Sequence, residues 1–169
     1  MAHLTVSVEY GVHGLLCSAC SPEAPLTSED LADLQGIPPS ELTGIFPKLE
    51  SAGIVRAAEG EAVRYTLAKP PEEITLLEII DAIEGKKRIF ACQDIRGRCA
   101  VFGSNPPGWA TGGLCGIHAA ILRAEKAMRE SLASQTLGDI AQTVGRKAPP
   151  EFSFPTEIYK WLEGRAAPK

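Results

Sequence analysis

The first seventy residues follow one order, three short helices and then two strands, and this order restricts the fold more than any other feature of the sequence. Apolar residues recur at helical spacing in each of the first three segments. The pair Pro38-Pro39 separates the second helix from the third, and the turn Glu59-Gly60-Glu61 separates the strands. The predicted helices are residues 5–20, residues 29–35 capped by Thr27 or Ser28, and a third from Ser40; the predicted strands are residues 54–58 and 62–67. Three helices followed by a β-hairpin is the order of a winged helix, in which the second helix of a helix-turn-helix reads DNA.

Three further helices are predicted after the hairpin, at residues 75–84, 117–134 and 136–144. The longest has a narrow apolar stripe that includes small residues, which is typical of a seam with a partner helix. We therefore predict a dimerisation helix there, with docking on its own domain as the alternative. The fold class is expected to be mainly α with a small β-hairpin, a winged helix-turn-helix plus a long dimerisation helix. The expected parts are a DNA-binding domain at residues 1–71, a loop with the dimerisation helices at 72–144, and a Pro-rich tail with room for a short helix at 145–169.

The composition is that of an ordinary globular chain, with a net charge of −4 and 44% hydrophobic residues. No apolar run approaches the roughly 20 residues that span a bilayer, and the first residues lack the basic-then-apolar pattern of a secretion signal. We therefore expect a cytoplasmic protein with no membrane partner. Neither a nucleophile–base pair nor a phosphate-binding glycine-rich loop is recognisable, so we predict no enzymatic activity and no small-molecule substrate.

Three of the five cysteines lie in one segment rich in glycine and proline. They are Cys92, Cys99 and Cys115, and His118 follows the last of them by three positions. Thiols in so loose a segment gain little from packing, whereas soft ligands on flexible backbone suit a metal or an iron–sulfur cluster. Structural zinc held by three cysteines and a histidine is the main alternative, although the spacings are not those of a standard zinc finger, and a metal-free loop stays open.

The other two cysteines, Cys17 and Cys20, lie on an apolar face of the first predicted helix. In a reducing compartment an odd number of cysteines argues for ligands or core thiols rather than a disulfide framework. We interpret this pair as core thiols, because a buried cysteine behaves as a small hydrophobic residue.

Four stretches together carry a family resemblance: residues 52–55 (Ala-Gly-Ile-Val), residues 74–85, residues 115–118 (Cys-Gly-Ile-His) and residues 136–140. Over about residues 3–144 the chain resembles the IscR-like family of iron–sulfur transcription regulators, which includes NsrR and RsrR. The resemblance implies a homodimer that binds operator DNA. It also implies an iron–sulfur cluster held by cysteines of the loop and by a residue from elsewhere, which can be an acidic side chain on the first helix of the partner subunit.

The resemblance implies two alternative sets of cluster ligands. The run Val8-Glu9-Tyr10 with His13 matches the RsrR-like branch, which implies that Cys92, Cys115, Glu9 and His13 hold a 2Fe–2S cluster across the dimer. Cys99 and His118 match the other branch, in which three cysteines and a histidine are the ligands. The chain thus has more candidate ligands than a four-ligand cluster uses, and only Cys92 and Cys115 are common to both sets.

Candidate DNA contacts lie on the third helix and in the hairpin. They are Ser40, Glu41, Thr43 and Lys48 on the helix, and Arg56 and Arg64 in the hairpin. Residues 1–70 contain only four basic residues against nine acidic ones. This net negative charge disfavours DNA binding, because basic side chains must neutralise the DNA phosphates. Pro47 lies inside the third helix and is expected to kink or break it.

The predicted function is transcription regulation by an iron–sulfur protein that senses redox state, nitric oxide or iron–sulfur supply. One alternative is a zinc-stabilised or metal-free winged-helix module that binds a protein partner through its acidic surface. The other is a small redox protein that does not bind DNA and uses the winged helix only as a scaffold.

Overall fold

The computed structural model of the protein describes residues 4–58, 60 and 62–166, so Glu59 and Glu61 of the predicted turn lie outside the described residues, as do the outermost residues of the first and last predicted parts. The chain is mostly helical with a small antiparallel sheet, which confirms the predicted fold class. The elements are α1 Val6–Cys20, β1 Leu26–Thr27, α2 Ser28–Gln35, α3 Pro39–Ser51, β2 Val55–Ala58, β3 Arg64–Leu67, α4 Leu76–Glu84, α5 Gly108–Thr111, α6 Gly116–Ala133, α7 Leu137–Gly145 and α8 Phe154–Ala166, with single 3-10 turns at Pro71–Glu73, Ile95–Arg98 and Ala100–Phe102.

The predicted hairpin is part of a three-stranded sheet in the order β1-β3-β2. Besides the pairing of β2 with β3, Leu26 of β1 lies opposite Tyr65 of β3. A strand of two residues is too short to show an alternating pattern, which is why the sequence did not predict β1. The second predicted strand is also shorter than expected, because pairing begins at Arg64 and not at residue 62.

Three helices begin with the same reciprocal cap, in which a threonine and an acidic residue three positions later bond to each other's backbone. In α2, the Asp30 amide donates to Thr27 Oγ1 over 2.9 Å, and the Thr27 amide donates to Asp30 Oδ2 over 3.0 Å. The same box starts α4 and α7, with Thr75–Glu78 and Thr136–Asp139. The predicted caps at Thr27 and Thr136 are therefore confirmed, with Thr27 rather than Ser28 capping α2.

The core lies where α1 packs on α3 and α4, and glycines make that approach possible. A Cβ at Gly14 would lie 3.0 Å from the ring of Phe46, and a Cβ at Gly11 would lie 2.5 Å from Ile83 Cδ1. Phe46 is completely buried and its ring centroid is 4.9 Å from that of Tyr65. Helix α3 and the sheet are thus joined through one aromatic contact at the centre of the domain.

Helix α3 runs through Pro47 without ending there, so the helix is not broken at this residue. The helix begins at Pro39, one residue before the predicted start, because proline fits the first helical position. Pro47 removes one backbone donor, but it lies on the exposed side, where water can satisfy the freed carbonyl.

The C-terminal helix α8 lies in the tail where a short helix was predicted, and it packs on α1. Ile158 is buried, Leu162 packs against the core, and Arg165 forms an ion pair with Asp33 of α2. Among the described residues no helix is both long and apolar enough to cross a membrane.

Helix α6 is held on α4 by a two-point ion pair between Arg129 and Asp81, with N–O distances of 3.1 and 2.7 Å. The Asp81 side chain is only 13% exposed. We expect Arg129→Met to lower the melting temperature by several degrees, because it leaves a partly buried carboxylate without a partner. The control is Lys126→Met, which breaks an exposed pair with Glu130 on the same helix and should change the melting temperature little. Equal shifts for both variants in a thermal scan would contradict this role.

Candidate metal centre and nucleic-acid surface

The two ends of the cysteine loop are joined by Arg96. Its guanidinium donates to Asp94 over 2.6 Å, to the Gly112 carbonyl over 3.3 Å and to the Gly113 carbonyl over 3.0 Å. Asp94 has a positive φ of 41°, which turns the chain and directs its carboxylate to Arg96. The hydrogen bond from Arg96 lowers the pKa of Asp94. Sequence reasoning missed this bridge, because no local pattern links an arginine to carbonyls sixteen and seventeen residues away.

Cys92 and Cys115 both lie within the field of the same Arg96 cation. The Asp94 amide is 3.4 Å from Cys92 Sγ, in donor geometry. Cys115 is the residue just before α6, where the nearby backbone amides of His118 and Ile117 and, to a smaller extent, the charge of Arg96 lower its pKa. The fold therefore stabilises negative charge on sulfur at Cys115. Cys99 lies between the two 3-10 turns and is exposed.

His118 lies one turn into α6, with its ring edge-on to Phe90 at a centroid distance of 5.9 Å. Its Nε2 atom is buried and has no hydrogen-bond partner among the described residues. A buried nitrogen without a partner costs free energy, so such an atom in native protein needs an explanation such as a bound ion. The thiols of the loop and His118 Nε2 are atoms of the kind that bind metal ions, so they are compatible with a metal group at the loop.

The candidate ligands on α1, Glu9 and His13, are exposed. His13 borders a cavity together with Cys17 and Cys20, not with the cysteines of the loop. In the part of a single chain that the structure describes, no three or more His, Cys, Asp or Glu side chains form a group suited to a metal ion. The six candidate ligands therefore do not converge within one described chain.

The electrostatics predict a reactivity order for the thiols of the metal-free protein. Cys115 has a lowered pKa, whereas burial raises the pKa of Cys17 to about 11. At pH 7 only about one Cys17 thiol in ten thousand is then ionised, and the thiolate is the form that reacts. We expect iodoacetamide to label Cys115 well before Cys17, with a rate that rises at lower pH than for an ordinary thiol. Peptide mass spectrometry over a pH series checks this, and labelling of Cys17 first would contradict it.

The candidate DNA contacts divide into free and engaged side chains. Ser40, Glu41 and Thr43 are exposed on α3. Lys48 Nζ instead donates to the Ile83 carbonyl over 3.1 Å and so caps the end of α4.

Arg64 Nη1 donates to the Pro25 carbonyl over 3.1 Å and lies 3.9 Å from Asp30. Arg56 is exposed on β2, and no bond or ion pair joins its side chain to another of the described residues. Of the three basic candidates, Arg56 is thus the one whose charge is not engaged by another of the described residues.

Known proteins share sequence and fold with this chain. Residues 4–143 match the sequence profile of the Rrf2 family, described as an iron-dependent transcriptional regulator. A protein of Mycobacterium tuberculosis named as an HTH-type transcriptional regulator is 31% identical over 139 residues, which cover 82% of this chain and 80% of that protein. The HTH-type transcriptional regulator IscR of Photorhabdus laumondii is 33% identical over 95 residues, 56% of this chain and 58% of that protein.

Solved structures are similar in fold. IscR of T. potens superposes with a TM-score of 0.63 at 20% identity, over 87% of this chain and 92% of that one. CymR, the global cysteine regulator of B. subtilis, superposes with a TM-score of 0.61 at 23% identity, over 85% of this chain and 98% of that one. The family match over residues 4–143 confirms the predicted resemblance: the chain belongs to the Rrf2 family of transcriptional regulators.

Proposed function

We propose that this chain is a homodimeric regulator that binds operator DNA through α3 and the wing and holds an iron–sulfur cluster, 2Fe–2S, at the cysteine loop. The observation that carries the proposal is the Arg96 bridge, because it joins the loop ends and places a cation near Cys115. A cation next to thiols favours thiolates, which are the form that binds iron. The unpartnered His118 Nε2 adds a donor at the same loop.

Two ligand sets fit this proposal. In the RsrR-like set, Cys92 and Cys115 of one chain act with Glu9 and His13 of a second chain. The exposure of Glu9 and His13 supports this set, since a ligand for another subunit must reach the surface. In the other set, Cys99 and His118 would act with Cys92 and Cys115, and these four side chains would have to move together, since they form no metal-binding group within the described residues of one chain. When bound, the cluster would supply a centre whose charge changes reversibly with redox state or on arrival of nitric oxide.

The side chains around the loop can transmit a change of charge to the reading head. Cys115 begins α6, and the Arg129–Asp81 pair fixes α6 to α4. Lys48 of α3 in turn holds the end of α4 through the Ile83 carbonyl. These contacts connect α6 to α3, so a movement of α6 would also move α3. The dimer would then have two arrangements that differ in how well the two α3 helices fit the operator half-sites.

The proposed dimer interface is α6 with the loop before it. No residue of this 18-residue helix is buried among the described residues, although a helix with an apolar stripe normally covers that stripe. Several large apolar side chains here are strongly exposed, among them Ile95, Val101, Trp109, Leu114 and Ile117. A second copy of the chain would cover such a patch.

Anaerobic purification tests the cluster directly. We expect a coloured dimer with iron and acid-labile sulfide in equal amounts, measured by visible absorption, iron and sulfide analysis, and light scattering. A colourless protein with neither iron nor sulfide would remove the cluster from the proposal. It would leave the winged-helix module that binds a protein partner, which the acidic surface of residues 1–70 favours.

Operator binding is tested by titration at two salt concentrations. Arg56→Ala is expected to weaken binding to all sequences alike and to reduce the salt slope by about 1, because a phosphate contact is lost. Arg64→Ala should act in the same sense but less, since this arginine is partly engaged by Pro25 and Asp30. Lys160→Ala on α8, an exposed lysine outside both α3 and the proposed interface, is the control for a change in overall charge. The absence of any salt-dependent complex for the unsubstituted protein would favour the protein-binding alternative.

A further inference from the structure

We propose that Cys17 and Cys20 form a second metal site, a two-thiolate site for a soft cation of the Cu(I) type, enclosed between α1 and α8. Both thiols are free and half-buried. They border a cavity of about 210 Å³ whose remaining lining comes from α1, α7 and α8 and includes Ile158. This site is separate from the cysteine loop and uses none of the loop thiols.

The spacing of the pair favours a bridging ion over a disulfide. Residues three apart on a helix have Cβ atoms about 5–6 Å apart, whereas a disulfide needs about 3.5–4.5 Å. Two metal–sulfur bonds of about 2.3 Å each can span about 4.6 Å between the sulfur atoms. An ion can therefore join Cys17 and Cys20 while α1 stays helical, but a disulfide would have to distort the last turn.

The number of donors selects the kind of ion. His13 also lines this cavity, but within the described residues neither His13 nor any other His, Cys, Asp or Glu completes a metal-binding group with the two thiols. Structural zinc needs four ligands, whereas Cu(I) is satisfied by two thiolates in a linear arrangement. Soft thiolates in mainly apolar surroundings are the ligands that select Cu(I) among the common metals.

Two features of the surroundings support a bound cation. The Gln35 amide nitrogen lies 3.6 Å from Cys17 Sγ, and such an outer hydrogen bond orients a ligand and stabilises its thiolate form. Cys20 is the last residue of α1, where the helix end carries a partial negative charge that favours a nearby cation. Burial raises the pKa of both thiols, so an incoming ion must displace two protons as two metal–sulfur bonds form.

Helix α8 closes the cavity and provides a reporter. Trp161 of α8 lines a neighbouring cavity that Cys17 also borders, and the chain has only one other tryptophan, Trp109 in the loop. In a Trp109→Phe background, all tryptophan fluorescence comes from Trp161. Copper bound at Cys17 and Cys20 is expected to quench it.

The test is an anaerobic titration of the full chain with Cu(I) against a chromophoric Cu(I) chelator. The background carries Cys92→Ser, Cys99→Ser, Cys115→Ser and Trp109→Phe, so that neither loop thiols nor a cluster contribute. We expect one Cu(I) per chain with quenching of Trp161. Gln35→Leu should weaken binding about 10-fold, and Cys17→Ser or Cys20→Ser by about a hundredfold or more, since loss of a ligand exceeds loss of an outer hydrogen bond.

The proposal is overturned if this background retains no copper, or if Cys17→Ser together with Cys20→Ser leaves stoichiometry and affinity unchanged. Far-ultraviolet circular dichroism and a melting curve confirm that each variant is folded. If Cys17→Ser does not fold, Cys20→Ser at the end of α1 decides alone: loss of the copper supports the site and retention overturns it. Because the background has no loop thiols, this outcome is independent of the cluster proposal.

Discussion

Cys92→Ala and Cys115→Ala are each expected to abolish the visible absorption of anaerobically purified protein, together with its iron and sulfide. These are the two thiols that both ligand sets require, and both lie in the field of Arg96. A cluster that loses one of its thiolates loses both a bond and the charge that balances iron. The measurement is the absorption spectrum with iron and sulfide counts per chain.

Matched substitutions separate the two ligand sets. Cys20→Ala removes a thiol outside the loop and should leave the colour unchanged. If the ligands are Glu9 and His13 of the partner chain, His13→Ala should bleach or destabilise the cluster, whereas Cys99→Ala and His118→Ala should not. Glu9→Ala should then give a more labile cluster or a shifted midpoint potential, since a carboxylate is a harder and weaker partner for iron. Full colour in both Cys92→Ala and Cys115→Ala would place the site elsewhere.

Phe46→Ala is expected to lower the free energy of unfolding by about 3–5 kcal/mol, the usual cost of removing a buried aromatic ring. Phe46 is 0% exposed, stacks on Tyr65, and fills the space against Gly14 of α1. Its loss leaves a cavity between α1, α3 and the sheet. Denaturant unfolding of the metal-free protein measures the change.

Phe152→Ala deletes the same atoms at a surface site and is the control. Phe152 is 42% exposed and contacts Phe154 edge-to-face, with ring centroids 4.8 Å apart. We expect a loss of no more than about 1.5 kcal/mol, the usual upper value of an aromatic pair. If Phe46→Ala lowers the free energy of unfolding no more than Phe152→Ala does, the contact between α1 and α3 does not stabilise the winged helix.

The helices were predictable because their signals are local. The apolar spacing of α6 and the threonine–acid pairs that start α2, α4 and α7 operate within one or two turns, so the sequence contains each complete interaction. The strand β1 was not predictable, because two residues pair only when β3 is already beside them. The family resemblance also depended on short contiguous runs, and the family match confirmed it.

The roles of single charged side chains depended on the tertiary structure. The sequence indicated free cations at Lys48 and Arg64. In the structure they donate hydrogen bonds to the carbonyls of Ile83 and Pro25, which are thirty-five and thirty-nine residues away. Arg96 becomes the bridge of the loop only because folding brings Gly112 and Gly113 to it.

By itself, then, the sequence determined the helices, the wing and the family, since these follow from periodicity, capping and short motifs. Only the tertiary structure decided which candidate cations are engaged by other described residues, how Arg96 joins the loop, and that α8 lines the cavity beside Cys17 and Cys20. The reason is that hydrogen bonds and cavities depend on atoms brought together from distant parts of the chain, and no local pattern encodes that distance.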